Sequence, residues 1–566
     1  MALPGTPVVW SPHGASDTLD ASTSFAGSMQ SLQNLIPDPS SRDLWQCRPA
    51  AVPIVFLALT FPGATFISAV LNVGTRIYGM VNQTTIPGRD VPFCYDVPTN
   101  TFIPITGTNA NNTPASPLPN GVWVPPSMAL VGSKIIVSHP GFTGAGGAFF
   151  GVIDTTIPFA LTWTATNTAP VALVAPPSWV VNFNGRCFFL VNPPTQQPAA
   201  YMSDSLNPTV ITNANQILTF GDNTSLTVAA GLALSNQLGG IIQALMIFKG
   251  VTNIYQVTGD YALQNLSINS LNVATGTLAP NSVVSSEKGL LFMAPDGVRL
   301  IDFNATVSDP IGKDGNGITV PFFFALTPSR VNAMFNGGIY RIQVQNAAVP
   351  GAPQQEWWYD FVREIWSGPH TTKQSLGTPY QKTFFLTIQG AGAVIFQSDQ
   401  VQSVTSTFVE NGVALSYNWW TSFLPDTDQM AELAMIETTI YMALVPGGLV
   451  MVGAVEPGGN GLDNVVIQAA GTPTIWGNFN WGAANWGGSG GVRNALFPRR
   501  LPWHYPIVFR RVSFQATGLS AGGLKLGRMH MKYEILGYLQ EDYTNSVVIP
   551  SPFVLDVSTL GGPDVL

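Results

Sequence analysis

Five histidines, His13, His139, His370, His504 and His530, are the only imidazoles in a chain of 566 residues. They stand isolated, without metal-ligand spacing, so each reads as a satisfied or exposed side chain rather than a ligand. The run Gly487-Gly488-Ser489-Gly490-Gly491 matches G-x-S-x-G literally, but that motif needs a strand before the serine and a helix after it, and here it lies in a glycine-rich loop. Asp309 to Gly317, DPIGKDGNG, could offer carboxylate and carbonyl oxygens to a cation, yet it lacks the acidic alternation of a calcium loop and reads as a turn. Trp357-Trp358 and Trp419-Trp420 could stack on sugar rings; packing aromatics are the simpler reading. The sequence therefore predicts no catalytic residue, no metal and no cofactor.

Charge is more informative. Asp, Glu, Lys and Arg make up only 10% of the chain, with 31 acidic against 23 basic residues. Such depletion is what the cores of subunit interfaces show, and it suggests a component of an assembly. Against the acidic background, Arg493, Arg499, Arg500, Arg510, Arg511, Lys525, Arg528 and Lys532 follow one another with no carboxylate between Arg493 and Tyr533. These eight are the candidate contacts to something anionic, either nucleic acid or an acidic neighbouring subunit. Cys47, Cys94 and Cys187 are widely separated and odd in number, which predicts buried free thiols.

The elements that must position these groups are strands. Glycine (56) and proline (45) punctuate the chain, and apolar residues come in short runs or alternate with polar ones. Asp426 to Met442 is the one fair helix candidate, with Asp426 or Asp428 at its start. Ala50 to Gly74 is uncharged over the length of a membrane span, but Pro62-Gly63 cuts it in half, so two buried strands joined by a turn are predicted.

A hairpin recurs. Its cleanest copy is Lys288 to Asp302, where Leu290 to Ala294 meets Pro295-Asp296-Gly297 and reverses into Val298 to Ile301. Looser copies begin near Arg76, Lys134, Arg186, Ile241, Ile339 and Thr383, so that successive starts lie 58, 52, 55, 49, 49 and 44 residues apart. That spacing fits the blades of a β-propeller, six most simply and seven at most. The predicted fold is all-β. A polar arm (1–30) and an entry segment with buried strands (31–74) precede the propeller (75–403). A mixed β module carrying Trp-Gly repeats (404–490) and a C-terminal β segment with the basic patch (491–566) follow it. Trp45, Trp366, Trp476, Trp481 and Trp486 are its expected structural anchors.

Four features, taken in order, resemble the tail nozzle family of short-tailed bacteriophages, also described as tubular tail or packaged-DNA stabilising tail proteins. They are Asn34-Leu35-Ile36-Pro37 with Leu44-Trp45 and Arg48-Pro49; Gly289 to Arg299 with its Asp-Gly turn; Tyr359-Asp360 with Arg363 and Trp366-Ser367; and the series Trp476-Gly477, Trp481-Gly482, Trp486-Gly487. Ala50 departs from the pattern, which has Gly after Arg-Pro. The resemblance implies a propeller body with β platform and tip modules and a ring, commonly a hexamer, beneath an adaptor at the portal vertex. It further implies contact with tail fibres or spikes, and a lumen that retains and then conducts genomic DNA, all in the virion tail and without a membrane span. A carbohydrate-binding or glycan-hydrolysing propeller for receptor recognition is the alternative.

Overall fold

The structure, a computed structural model, describes residues 8–10 and most of 29–538; the longest stretches outside the description are 11–28, 313–325, 469–496 and 539–566. Seven small sheets follow one another between residues 52 and 399, antiparallel throughout except where Ile105–Thr106 adds a parallel edge strand to the second. Their first strands, Ala64–Val73, Ser127–Val131, Trp179–Phe183, Leu226–Ser235, Val284–Ser286, Asn332–Asn336 and Gln374–Tyr380, touch in that order, and the last returns to the first. The ring is closed, so this is a seven-bladed β-propeller, the larger of the two counts that the sequence left open. Closure is made by strand exchange. Val52–Phe56, from the N-terminal side, pairs with Val394–Asp399 and supplies the fourth strand of blade 7.

The predicted hairpins are correctly located but one strand out of phase. Arg76, Lys134, Arg186, Ile241, Ile339 and Thr383 each open the second strand of a blade, and in blade 5 that strand starts at Gly289. The first strands are less conspicuous because their buried residues alternate with half-buried ones, as in Ser127–Val131 and Asn332–Asn336, whereas the second strands are continuous buried runs. Pro295-Asp296 is the two-residue turn of the blade 5 hairpin, with Ala294 opposite Gly297. Ala50 to Gly74 does hold two strands, Val52–Phe56 and Ala64–Val73, but they belong to blades 7 and 1, and the first alternates between buried Val55 and exposed Val52 and Phe56.

A residue type recurs with the blades. Asp96, Asp154, Asp260, Asp360 and Asp399 each end the third strand, Asp302 directly follows it, and Asp204 lies two residues beyond it. Five of them turn their carboxylate onto the chain ahead, accepting from the backbone N–H of Thr99, Thr156, Ala262, Asn304 or Val362. An aspartate folded back in this way closes the turn to the fourth strand. Asp302, at the end of the hairpin that the sequence showed most clearly, is one of this set.

Apolar cores lie between consecutive blades. The core between blades 6 and 7 is the smallest, holding only Ala51, Met334, Phe384, Leu386 and Phe396 among fully buried residues. Polar and charged groups fill the rest of that seam, as described below.

The remaining strands make two sheets facing each other. One runs Leu35–Pro37, Trp45–Cys47, Leu524–Tyr538, Ala431–Leu444, Phe497–Arg500, with Val8–Trp10 and Val508–Phe509 at its sides. The other runs Met29–Gln33, Val413–Thr421, Ser513–Ser520, Leu449–Val455, Gly461–Gln468. Leu35, Trp45, Trp419, Ile440, Phe514 and Met529 are among the side chains buried between them. This module is thus built from both sides of the propeller in sequence. Ala431–Leu444 is a strand, which corrects the predicted helix over Asp426 to Met442: Thr438, Ile440 and Met442 point inward at a period of two, and three of the four residues from Thr438 to Tyr441 are the β-branched pair Thr438-Thr439 and Ile440. Cys47, Cys94 and Cys187 are buried thiols, none of them in a disulfide. Among the described residues no helix is long and apolar enough to cross a membrane.

Candidate interaction surface and the buried joint

Two of the sequence features singled out above, more than 300 residues apart, meet where the module joins the propeller. Asn34 takes a positive φ of 58°, which turns the entry chain sharply. Its backbone N–H donates to His370 Nδ1 (3.1 Å), its amide nitrogen to Thr371 Oγ1 (2.8 Å) and to the Ser416 carbonyl (2.5 Å). Asn34 Oδ1 in turn accepts from Arg48 Nε at 2.8 Å. The rest of the Arg48 guanidinium reaches the Pro49 carbonyl (3.0 Å), Thr371 Oγ1 (3.3 Å) and both oxygens of Glu410 (3.0 and 2.9 Å). All five guanidinium N–H directions are therefore used, on a side chain that is 0% exposed.

Glu410 also accepts from the Ala51 N–H and from Thr372 Oγ1. Burial by itself would raise its pKa; the Arg48 charge and these hydrogen bonds outweigh that and hold the carboxyl below its ordinary value. His370 is pushed the other way, well below the usual imidazole range, by burial and then by the charges of Arg48 and Arg341. It is a neutral acceptor for the Asn34 N–H. Arg341 continues the cluster into blade 6, donating from Nε to Glu356 (2.7 Å) and from Nη1 to Ser398 of blade 7 (2.9 Å), with Trp358 stacked 4.2 Å away. On the far side, Arg363 pairs with Asp360 (2.8 Å) and donates to the Asp38 carbonyl, while the Asp38 carboxylate takes Lys525. Trp366 (2% exposed) and Trp45 (1%) are buried beside this joint and in the module core, respectively.

The basic residues of the C-terminal segment do not form one patch. Lys525 is consumed by Asp38, and Arg511 is buried with its guanidinium 5.8 Å from the Phe423 ring. Arg510 and Arg499 are exposed, and Arg493 lies outside the described residues, as do Trp476, Trp481, Trp486 and the Gly487–Gly491 run. Arg500, Arg528 and Lys532 do come together, on the outward face of the first module sheet. Alternation along Leu524–Tyr538 puts Met529 and Met531 into the core and Arg528, His530 and Lys532 outside. Arg528 lies 5.2 Å over the Tyr441 ring, whose centre is 5.1 Å from His530. Glu437 faces Lys532 at 3.7 Å and Arg500 at 3.9 Å, and exposed Glu534 ends the row. Burial, followed by Arg528 and Lys532, lowers the His530 pKa. Sequence reasoning missed His530 because period-two neighbours are not visible until the strand is known.

The other readings resolve simply. Trp357, Trp358 and Trp419 are buried packing residues. His139 is held in a turn, its Nε2 against the Val124 carbonyl and its Nδ1 accepting from Gly141. Among the described residues no group of three or more His, Cys, Asp or Glu is arranged to hold a metal.

No family model and no curated protein matches the chain. Among solved structures it is similar to the SapL1 lectin in complex with α-methyl fucoside, with 15% identity and a TM-score of 0.30 over 55% of this chain and 96% of the lectin. It is also similar to the WD40 β-propeller domain of Doa1, with 8% identity and a TM-score of 0.33 over 63% of this chain and 97% of that one. The Dos1 propeller gives 9% identity and a TM-score of 0.34 over 70% of this chain and 96% of its own.

Proposed function

We propose that this chain is a structural subunit of the tail nozzle of a short-tailed bacteriophage, without enzymatic activity, which assembles into a ring, a hexamer in the simplest case. The ring docks to an adaptor, contacts tail fibres or spikes, and lines the channel that holds and then conducts the genome. One observation carries the reading. Residues that mark the family resemblance, Asn34, Arg48, Asp360, Arg363 and Trp366, converge on the joint between a closed propeller and a β module, which is the body-plus-module plan that the resemblance leads one to expect. The basic face of Arg500, Arg528 and Lys532 supports a docking role, since a neighbour of the same acidic composition would be attracted to it.

Electron microscopy and native mass measurement of the purified protein, alone and with its adaptor, test this. Closed rings of one defined mass are expected. Joint substitution Arg500→Glu, Arg528→Glu and Lys532→Glu should weaken docking while leaving the fold intact. Monomers at every concentration, with and without adaptor, would overturn the reading.

A further inference from the structure

The second module sheet carries a shallow cleft of about 330 Å³ near its edge, floored by Gly453, Ala454 and Gly461 and walled by Asp463, Asn464 and Tyr505. A Cβ built on Gly461 would meet nothing within 4 Å, so the floor is open backbone. Tyr505 is 73% exposed, which is unusual for so large a ring on a loop. It is nonetheless positioned. Asp463 accepts from the backbone N–H of His504 (2.5 Å) and of Tyr505 (3.4 Å), and from His504 Nδ1 (3.2 Å), which pins the loop to the strand. Burial opposes ionisation of Asp463, but the N–H groups of Asn464, His504 and Tyr505 and the imidazole outweigh it and keep the carboxyl below its ordinary value. With its side chain only 7% exposed, this carboxylate serves the loop and not a ligand.

We infer that this cleft binds a neutral saccharide ring. The cleft presents an apolar ring face from Tyr505 and an amide, which can both donate and accept, from exposed Asn464. A pyranose matches that set, having a C–H face for the aromatic ring and a rim of hydroxyls that both donate and accept. Among the described residues no Lys or Arg lines the cleft, so a phosphate or carboxylate ligand would find no counter-charge there. The tyrosine supplies contact area and the polar groups fix orientation. This site is separate from the basic face and does not depend on the nozzle reading.

Saturation-transfer NMR with the methyl glycosides of glucose, galactose and N-acetylglucosamine tests it on the full chain, alongside Tyr505→Ala, Tyr505→Phe and Asn464→Ala. Transfer to the ring protons of at least one glycoside is expected. Tyr505→Ala should weaken binding about tenfold or more and Tyr505→Phe much less, since the ring face does the stacking. Ring assembly should be unchanged in all three variants, which separates failure here from failure of the nozzle proposal. No transfer from any of the three glycosides, or binding undiminished in Tyr505→Ala with its unfolding midpoint unchanged, overturns the inference.

Discussion

Replacing Glu410 by Gln tests whether the propeller and the module are held as one unit by buried charge. The substitution keeps the size of the side chain and removes its charge. Arg48, 0% exposed, then keeps its hydrogen bonds to Asn34, Pro49 and Thr371 but faces an amide where a carboxylate had received two of its N–H groups at 3.0 and 2.9 Å. Breaking a buried pair from one side costs ~3–5 kcal/mol, because the surviving charge is left desolvated and uncompensated. Arg48→Met removes the other partner, strands Glu410 beside the Ala51 N–H, and should cost a similar amount. The double variant Arg48→Met with Glu410→Leu removes both charges, so its cost should fall well short of the sum, with a coupling of ~2 kcal/mol or more. Urea unfolding at pH 7, followed by tryptophan fluorescence, reads all three, since Trp45 and Trp366 flank the joint on its two sides. The reasoning fails if either single variant loses less than about 1 kcal/mol, or if the double variant equals the sum.

Two further substitutions probe single blades. Burial pushes the Asp90 carboxyl up to about 7, against hydrogen bonds from Asn82 and Ser68 that pull it down. The folded chain therefore binds a proton that the unfolded chain releases near pH 4, and the stability tied to it, present below that pH, is lost as pH rises through about 7. Asp90→Asn should flatten this fall and raise the melting temperature at pH 8 but not at pH 4; moving from 3.8 to about 7 sets an upper limit of about 4 kcal/mol, and parallel pH profiles for the two proteins would count against the assignment. In blade 2, a Cβ on Gly151 would come within 1.9 Å of the Trp163 ring, so Gly151→Ala should destabilise by ~1–3 kcal/mol, and an unchanged denaturation midpoint would refute the packing argument.

Much of the propeller was legible because each blade repeats a local signal. A turn, a run of buried apolar residues and an aspartate at the end of the third strand recur at similar spacing, and each has a short-range cause, such as Asp302 accepting from Asn304 two residues ahead. The innermost strands were harder to see, since strands such as Ser127–Val131 and Asn332–Asn336 lack the continuous buried run of their neighbours Lys134–Ser138 and Ile339–Val344. The module was opaque for a different reason. Its core combines Leu35 with Trp419 and Met529, and no local pattern announces a pairing between residues 45–46 and 525–526. Ala431–Leu444 looked helical because Asp precedes it and its composition is mixed; only the partner strand Leu524–Tyr538 decides the period. The cleft at Asp463 was invisible for the same cause, His504 being 41 residues away.

The polar seam explains why the chain places its charges where it does. Six of the seven inter-blade contacts hold ten or more buried apolar residues, whereas the one between blades 6 and 7 holds five. There Asn332, Gln343, Glu356 and His370 occupy one row across all four strands of blade 6, with Arg341 on the same face. A hydrophobic seam would be as stable, since buried ion pairs seldom exceed the packing that could replace them. What the charges add is selectivity. Arg341 bonds Ser398 of blade 7, and Arg48 beside it bonds Glu410 and Asn34 of the module, so the two blades, the closing N-terminal chain and the module satisfy one another only in a single arrangement. In a chain with so few charges, one hydrogen-bonded network thus spans the point where ring closure and module docking coincide.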